Sequence, residues 1–594
     1  MTSPSGPVKP LDFGGEGING SLDAQGRFIA VNFYHSRFGY VTLTSANPFP
    51  DEARYQQHAV RAFRAGLAAL EGFGIQPVNS IKTAEHLLLE NAIPQHTFNI
   101  ADGQSVSAKT FVADGCVHQI WDLQQSVEVT FVGKLSIQRC AYTQLTEGGP
   151  IPAPTVETHI RRDADLLVIE NPHIGCVCLS GVPATADPMI EQLSDGSVSL
   201  EVKITPMPSV HLMLAFGETL AAAKARLTAA SPSVNTEHIQ QVWQDRWHNI
   251  VDDPILRRGL LYSLNLSVPV NAGYCLLTDH MLLPLSWNRD AYYIARALLT
   301  WHQPGLDTRS IIRGHLHWMF ETAERPDGTW GRCYLANGRI KDPAFQLDQQ
   351  LFPLLELAEY TLETQEADTF ESYRPQVEAV LTMLHQRRAA HAALYPTDET
   401  PADDPIAYPY HLSSHILFWV VLKKLAQLGL DHRTEMHAIA ETIRKHFVTE
   451  SEVGPLFAYA SDGAGNVHLY HDANDFPTIL APVWGFCSVE DPVWRGTIEY
   501  AFSERNSEAF YDGHLGSVHT RAAWPLGDIQ DMIVARLFED KAREQHAVRS
   551  LHWAAQQDGS LPEAYDTKTG AVVSRHWFAW PNAAYACIVL GAFH

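Results

Sequence analysis

The chain has 594 residues, of which 45% are hydrophobic and 19% charged, as is typical of a soluble globular protein long enough for two domains. Its formal net charge of −24 argues against binding to nucleic acid or to an anionic membrane surface, because both require clustered Lys and Arg. We expect a cytoplasmic, thiol-reduced protein, because no signal peptide and no membrane-spanning apolar run is present and the eight Cys are scattered.

Residues 1–240 carry the pattern of an antiparallel β-sandwich. Short β-branched and aromatic runs alternate between apolar and polar residues, and they read GRFIAVNFY, GYVTLTS, QSVEVTFVGKLSIQ, DADLLVIENP, GSVSLEVKITP and VHLMLAFG. One helix is predicted near 51–74, and a second near 218–249 leads out of the sheets. Cys176 and Cys178 in GCVCLSG alternate as in a strand and lack further ligands nearby, which predicts strand packing rather than a metal site.

Helical periodicity takes over in residues 241–594, the predicted catalytic domain. The predicted helices lie near 254–267, 288–303, 307–323, 345–364, 370–388, 410–428, 434–447, 475–485, 491–503, 518–537, 541–557 and 577–592. This number fits an (α/α)6 toroid, in which six inner and six outer helices place a set of loops around a pocket at one end. Long helices without strands between them exclude a TIM barrel and a Rossmann fold.

Unusual polar and aromatic residues concentrate in the loops, in the stretches LSWNRDAYY, FQLDQQLFPLLEL, TDETPADDPIAYPYHLSSH, YHDANDFPTILAPVWGF, GHLGSVHTRAAWPLGD and the terminal DGSLPEAYDTKTGAVVSRHWFAWPN. The polar residues of any one stretch could be explained as helix N-caps. Their joint occurrence in one set of loops predicts a sugar-binding pocket. Trp287, Arg289 and Asp290 form a predicted monosaccharide clamp. The other predicted sugar contacts are Gln346, Asp348, Asp404, Tyr410, His471, Asp472, Asn474, Asp475, His519, Trp577 and Trp580.

We expect neither a metal nor a cofactor. The HDAND stretch and the nearby His468 and His519 include no H-E-x-x-H motif, and DANDFPT lacks the Gly and distal Glu of an EF-hand loop. The polar residues of HDAND are therefore predicted to contact sugar hydroxyls or to brace their own loop. No Gly-rich phosphate-binding loop is present either.

The stretches PADDPIAYPY, HDANDFPTILAPVWGF, LGSVHT and SRHWFAWPN resemble those of the metal-independent exo-α-1,6-mannosidases of glycoside hydrolase family 125, one of the six-hairpin glycosidase families. The resemblance covers roughly residues 285–592, and HDAND-x-P and WFAW-x-N are its most specific parts. LPEAYDTKTG and the attached sheet domain are more similar to bacterial glucoamylases and glycogen-debranching enzymes. Both groups imply a toroid and an inverting mechanism that uses two carboxylates.

Inverting hydrolysis needs a carboxylic acid beneath the leaving oxygen and a carboxylate base that activates water. Glu563 is the predicted base, because it matches the Glu of the family's C-terminal loop. DETPADDP offers several acids, and the family pattern Pro-Ser-Asp-Asp lies over Pro401-Ala402-Asp403-Asp404. We predict Asp403 as the acid, with Asp404 second and Glu399 third.

The sequence thus predicts an inverting, exo-acting α-glycosidase that releases a terminal hexose from an oligosaccharide or small glycoside. The central motifs favour α-mannosides, whereas the domain layout and LPEAYD favour α-glucosides. Two other classes stay open: a toroidal sugar epimerase or isomerase, which would use a His pair, and a non-catalytic carbohydrate-binding protein. Release of free sugar and its anomeric form separates the three.

Overall fold

The computed structural model describes residues 9–48, 66, 69–78, 81–100, 104–123, 127–140, 151, 153–182, 187–230, 234–303 and 305–593. Most of the helix predicted at 51–74 lies outside the described residues. None of the helices in these ranges has the length and hydropathy needed to cross a membrane.

Antiparallel strands form two large sheets in the first part of the chain, and each of the six predicted runs lies on a strand. The strands are β1 (Leu11–Gly15), β2 (Ile18–Leu22), β3 (Phe28–His35), β4 (Gly39–Thr44), β5 (Gly74–Pro77), β6 (Ile81–Leu89), β7 (Ile93–Ile100), β8 (Ser105–Ala113), β9 (Cys116–Asp122), β10 (Val129–Arg139), β11 (His159–Asp163), β12 (Leu166–Asn171), β13 (Gly175–Ser180), β14 (Met189–Gln192), β15 (Val198–Ile204) and β16 (Ser209–Gly217).

One sheet has the order β1-β2-β3-β4-β10-β15-β14, with β5 also paired to β10; the other has the order β11-β12-β13-β16-β9-β8-β7-β6. Apolar side chains from both sheets share one buried core. The rings of Phe33 on β3 and Phe216 on β16 stack within it at 5.1 Å. Cys176 and Cys178 on β13 are buried free thiols in a smaller apolar cluster with Ala223 and Leu227, so the prediction of strand packing is confirmed.

Fourteen α-helices follow in the described residues. They are α1 (Leu220–Ala229), α2 (Thr236–Trp247), α3 (Pro254–Asn265), α4 (Asn288–Thr300), α5 (Thr308–His317), α6 (Leu347–Thr364), α7 (Ala367–Arg387), α8 (Leu412–Gln427), α9 (Arg433–His446), α10 (Phe476–Ile479), α11 (Pro492–Ala501), α12 (Pro525–Leu537), α13 (Lys541–Ala555) and α14 (Ala579–Leu590). A π-helical turn at Trp318–Thr322 extends α5.

Six of these helices contact one another in a closed cycle, α4-α6-α8-α10-α12-α14 and back to α4. Several of the other helices pack against this inner set: α3, α7 and α13, for example, contact α14, α6 and α12, whereas α11 packs against the strand Gly454–Phe457. Burial follows the same division: nearly every residue of α4 is buried, whereas α9 buries only Ile439, Thr442 and Ile443. An outer helix needs one apolar face, and an inner helix is covered on all sides.

Three details of the helical prediction are wrong. The helix predicted at 475–485 is only Phe476–Ile479, and turns follow it. The helix predicted at 518–537 begins at Pro525, because residues 518–524 form a turn and a short strand. Short antiparallel strands also occur between the helices: β17 (Ser267–Val270), β18 (Gly273–Leu276), β19 (Leu285–Ser286), β20 (Cys333–Leu335), β21 (Ile340–Asp342), β22 (Tyr410–His411), β23 (Val448–Ser451), β24 (Gly454–Phe457), β25 (Ala460–Ser461), β26 (Val467–His468), β27 (Phe510–Tyr511), β28 (His514–Ser517), β29 (Ala522–Ala523), β30 (Ala564–Tyr565) and β31 (Val572–Ser574).

Candidate active site

Five of the six residues that immediately precede the inner helices are uncommon at N-cap positions, namely Trp287, Gln346, His411, Trp524 and Phe578, and the sixth is Asp475. Only His411 accepts a capping hydrogen bond from its own helix; the other five side chains make none. Capping therefore does not explain why these residue types occur at the helix starts. Three of them, Trp287, Trp524 and Phe578, line a common cavity.

This cavity brings together half of the predicted site residues. Its predicted lining residues are Trp287, Arg289, Asp290, Asp403, Asn474, His519, Glu563 and Trp580. Both predicted catalytic carboxylates are among them, although 160 residues separate them in the chain. Six further lining residues were missed as site residues: Thr278, Pro401, Ala402, Trp524, Arg575 and Phe578. All but Thr278 lie within the polar and aromatic stretches named in the sequence analysis, so their position in those stretches could have identified them.

Asp403 is held by donors from two inner-helix starts. One carboxylate oxygen accepts a hydrogen bond from Trp287 Nε1 at 3.1 Å, and the other accepts one from Gln346 Nε2 at 2.7 Å. The Arg289 guanidinium lies 3.7 Å away. Asp403 also has a backbone φ of +63°, which is uncommon for a residue other than Gly. Such backbone strain concentrates at functional sites, where the surrounding structure maintains it.

Glu563 lies beside strand β30 in a buried position. Its carboxylate accepts a hydrogen bond from the Ser574 hydroxyl and pairs with Arg575 at 3.3 Å, and its backbone N–H donates to the Arg575 carbonyl at 3.2 Å. The Arg575 guanidinium also lies over the Phe578 ring, 4.7 Å from its centroid. The hydroxyl donor and the cation together fix the orientation of the Glu563 carboxylate.

His519 connects the two sides of the cavity electrostatically. Burial disfavours its charged form, but a hydrogen bond to Asp404 (3.3 Å) and the charges of Glu563, Asp404 and Asp403 outweigh burial and raise the pKa of His519 to about 9. His519 is therefore an imidazolium near neutral pH. Asp404, the second candidate acid, contacts this cation and does not line the cavity.

The predicted clamp is built on α4. Arg289 pairs with Asp348 at 3.1 Å, and its guanidinium lies over the Trp580 ring, 4.8 Å from the centroid. Asp290 accepts a hydrogen bond from Thr278 and lies 3.6 Å from Arg289. Burial raises the pKa of Asp290 to about 6 even though Arg289 opposes the shift. A buried carboxylate with one oxygen lacking a hydrogen-bond partner is suited to bind a sugar hydroxyl.

Several predicted sugar contacts lie behind the lining residues or elsewhere. Gln346 and Asp348 support Asp403 and Arg289, as described above. Glu399, the third candidate acid, pairs with Arg332 at 3.1 Å and lies outside the lining. Tyr410 belongs to strand β22 and also lies outside it. Trp577 donates to Asp558 at 3.1 Å and packs on His280, whereas Trp580, three residues later, lines the cavity.

The HDAND stretch braces its own loop, which was one of its two predicted roles. His471 contacts Gln530 at 2.9 Å, and Asp475 contacts His411 at 3.2 Å. Asp472 accepts hydrogen bonds from Tyr470, Ser517 and Asn474; burial raises its pKa to about 6. His471, Asp472 and Asp475 are buried against protein groups and do not line the cavity. Asn474 does reach the cavity.

The described residues contain no group of three or more His, Cys, Asp or Glu side chains arranged to hold a metal ion. The histidines near HDAND explain this in part: His471 contacts an amide, and His468 lies on strand β26 stacked against Tyr470.

Part of the chain is similar in sequence to known proteins. Residues 386–590 match the sequence model of the metal-independent α-mannosidase family (GH125). The meiotically up-regulated gene 157 protein of Schizosaccharomyces pombe is 27% identical over 219 residues, which are 34% of this chain and 42% of that protein. The chain thus matches less than half the length of this curated relative.

Two solved structures are similar in fold. A Streptococcus pneumoniae metal-independent α-mannosidase, in a non-productive complex with α-1,6-mannobiose, has 22% identity and a TM-score of 0.50, and the match covers 60% of this chain and 99% of that one. A bacterial glucoamylase complexed with acarbose has 11% identity and a TM-score of 0.68, covering 100% and 94% of the two chains. The predicted resemblance is confirmed: part of the chain matches the GH125 sequence model, and the fold is similar to that of a bacterial glucoamylase.

Proposed function

We propose that this protein is an inverting, exo-acting α-mannosidase that removes a terminal mannose from an oligosaccharide or small glycoside. The observation that carries this proposal is that Asp403 and Glu563 line one cavity while each is held by a separate set of protein groups. Two independently held carboxylates on one cavity are what acid and base catalysis across a sugar ring requires.

Asp403 is the proposed acid. It would protonate the glycosidic oxygen as the bond to the leaving group breaks, and Trp287 and Gln346 would fix the orientation of its carboxyl group. Of the three candidate acids, Asp403 alone lines the cavity. Gln346 Nε2 also donates to Glu399 at 3.0 Å, so Glu399 takes part in positioning Asp403 through this amide.

Glu563 is the proposed base. Ser574 and Arg575 orient its carboxylate, which would take a proton from a water molecule as that water attacks the anomeric carbon from the face opposite the leaving group. Attack from the opposite face inverts the anomeric configuration. Trp524, Phe578 and Trp580 supply apolar walls that limit other water.

Exo action is supported by the buried base of the cavity. Arg289, Asp290 and Trp580 are all at most 4% exposed, so a glycan chain has no exit past them. The family match supports mannose as the terminal sugar. An epimerase would use a His pair, whereas His519 is the one His among the residues described as lining the cavity.

We also propose the arrangement behind this site: a β-sandwich in residues 1–240 and an (α/α)6 toroid in residues 241–594. The shared core of the two sheets and the closed cycle of six helices support it. The six inner helices would then direct their N-terminal ends, which carry partial positive charge, toward one mouth.

A panel of α-linked disaccharides tests the proposed function. We expect mannose release from α-mannobioses, with the released mannose first observed by proton NMR as the β-anomer. Maltose and isomaltose are the matched comparisons, and preferential release of glucose would replace the substrate assignment. Initial release of the α-anomer would contradict inversion and make Glu563 a nucleophile.

A further inference from the structure

A buried lysine from the first described residues holds the loop that carries Glu563. The Lys9 ammonium donates to Asp558 Oδ1 at 2.9 Å and to the Ser560 carbonyl at 2.8 Å, although 549 positions separate Lys9 from Asp558. The Gln557 side chain donates in turn to the Lys9 carbonyl at 2.9 Å. Lys9 is thus hydrogen-bonded on both its side chain and its backbone to one short segment, 557–560.

The same ion pair also connects to the far end of this loop. Asp558 Oδ2 accepts a hydrogen bond from Trp577 Nε1 at 3.1 Å, and the Lys9 ammonium lies 5.7 Å from the Trp577 ring centroid. Residues 558 and 577 enclose Glu563 and both of its side-chain partners, Ser574 and Arg575. Lys9 and Asp558 therefore fasten the two ends of the segment that carries the proposed base.

A second buried pair reinforces the entry to the loop. Arg258 pairs with Asp12 and donates to the Ser560 hydroxyl at 3.1 Å. The next residue, Leu561, is bonded through both its backbone N–H and its carbonyl to the Asn582 side chain. The chain between Asp558 and Leu561 thus has fixed partners on every side, two residues before Glu563.

The chemistry of the Lys9–Asp558 pair indicates that it orients the loop that carries Glu563 rather than only stabilising the fold. Burial lowers the pKa of Lys9 and raises that of Asp558, and each opposes the shift of the other. Replacing a buried ion pair by apolar residues of similar size is often neutral or stabilising, so net stability does not by itself account for this pair. An apolar contact would bind these segments together without fixing the direction of the loop.

We propose that Lys9 is a positioning residue for Glu563, so that the sheet region is part of the catalytic apparatus. This inference rests on the proposed function. Lys9 does not line the cavity, and it would affect the reaction only through the orientation of the 558–577 loop. Misplacement of the base by a fraction of an ångström would lower kcat and leave sugar binding by Arg289 and Asp290 intact.

The test compares Lys9→Met, the double variant Lys9→Met/Asp558→Asn, and Lys134→Met as the matched control. Lys134 pairs with Asp195 at 2.5 Å elsewhere in the sheet region. We expect Lys9→Met to lower kcat by about 100-fold with KM nearly unchanged, and Lys134→Met to change neither. The double variant buries no unpaired charge, so its Tm should rise back toward wild type while its kcat stays low.

Hydrogen exchange supplies a readout that does not depend on activity. Amides of the 558–577 loop should exchange faster in Lys9→Met, and those of α6 should not. A kcat of Lys9→Met equal to wild type, or a double variant that regains kcat together with Tm, would overturn the positioning role. If the wild-type protein cleaves no α-glycoside, the proposed function fails, and unchanged exchange in the loop would then overturn the inference separately.

Discussion

The two proposed catalytic carboxylates have different roles, base and acid, so their substitution should produce kinetic defects that can be told apart. Glu563→Gln keeps shape and hydrogen bonding but removes the proton acceptor. We expect a folded protein that still binds sugar and whose kcat falls on the order of 1000-fold or more. Steady-state kinetics on the preferred α-mannoside, with binding measured by calorimetry, check this.

Asp403→Asn should lower kcat similarly but recover in part with aryl glycosides whose leaving group needs no proton. Glu563→Gln should show no such recovery, because water activation is required for every leaving group. Equal recovery in both variants would contradict the assignment of acid and base.

His519 predicts a pH dependence of stability. Its pKa is raised from 6.5 to about 9, so its interaction with the carboxylates stabilises the folded state fully below about pH 6.5 and is lost as the pH rises through 9. We expect the Tm difference between wild type and His519→Gln to be larger at pH 6 than at pH 9.5. A difference independent of pH would show that folding does not raise the pKa of His519.

At the scale of elements, sequence reasoning succeeded best in locating the helices. Local pattern located all twelve helices of the second region, because amphipathic periodicity and capping signals are local. It misplaced the start of α12, because β29 pairs not only with neighbouring β28 but also with β30, and the second pairing joins residues distant in the chain. Pattern also could not separate Trp577 from Trp580, since the direction of each ring depends on how α14 packs against its neighbours. The hydrogen bond from Lys9 to Asp558 could not be predicted from local sequence pattern, because 549 positions separate the two residues.

The HDAND loop predicts a stability defect without a binding defect. Asp472→Asn replaces a carboxylate that accepts several hydrogen bonds, and one of its donors would then face an NH2 group. We expect a loss of about 1–3 kcal/mol in the free energy of unfolding, with KM nearly unchanged. Asp462→Asn is the control, because Asp462 accepts similar bonds from Ala464 and Asn466 in an exposed turn.

The polar side chains of the HDAND loop are bonded to protein groups and are not expected to bind a metal ion. Treatment with EDTA should therefore leave activity unchanged. Inactivation by EDTA that calcium reverses, or a KM defect in Asp472→Asn larger than its loss of stability, would return these residues to ligand binding.

At the scale of the whole molecule, the sheet region and the helical region differ in whether each has a complete core with which to fold independently. The two sheets enclose an apolar core of their own. The large helical core is continuous with sheet residues such as Ile29, Tyr40 and Phe111. Asn32 on β3 also donates to the His280 carbonyl at 2.6 Å, next to the Thr278 that lines the cavity. The helical region therefore lacks part of its core and of its loop support without the sheets.

This asymmetry predicts opposite outcomes for the two halves when each is produced alone. Residues 1–240 should unfold cooperatively. Residues 241–594 should not, because the helical core would lose sheet residues such as Ile29, Tyr40 and Phe111 and would expose the apolar surface that they cover. Near-UV circular dichroism and thermal melts of both fragments check this. A fragment 241–594 that melts cooperatively and releases mannose at the wild-type rate would contradict it, since its base loop would then be in place without Lys9.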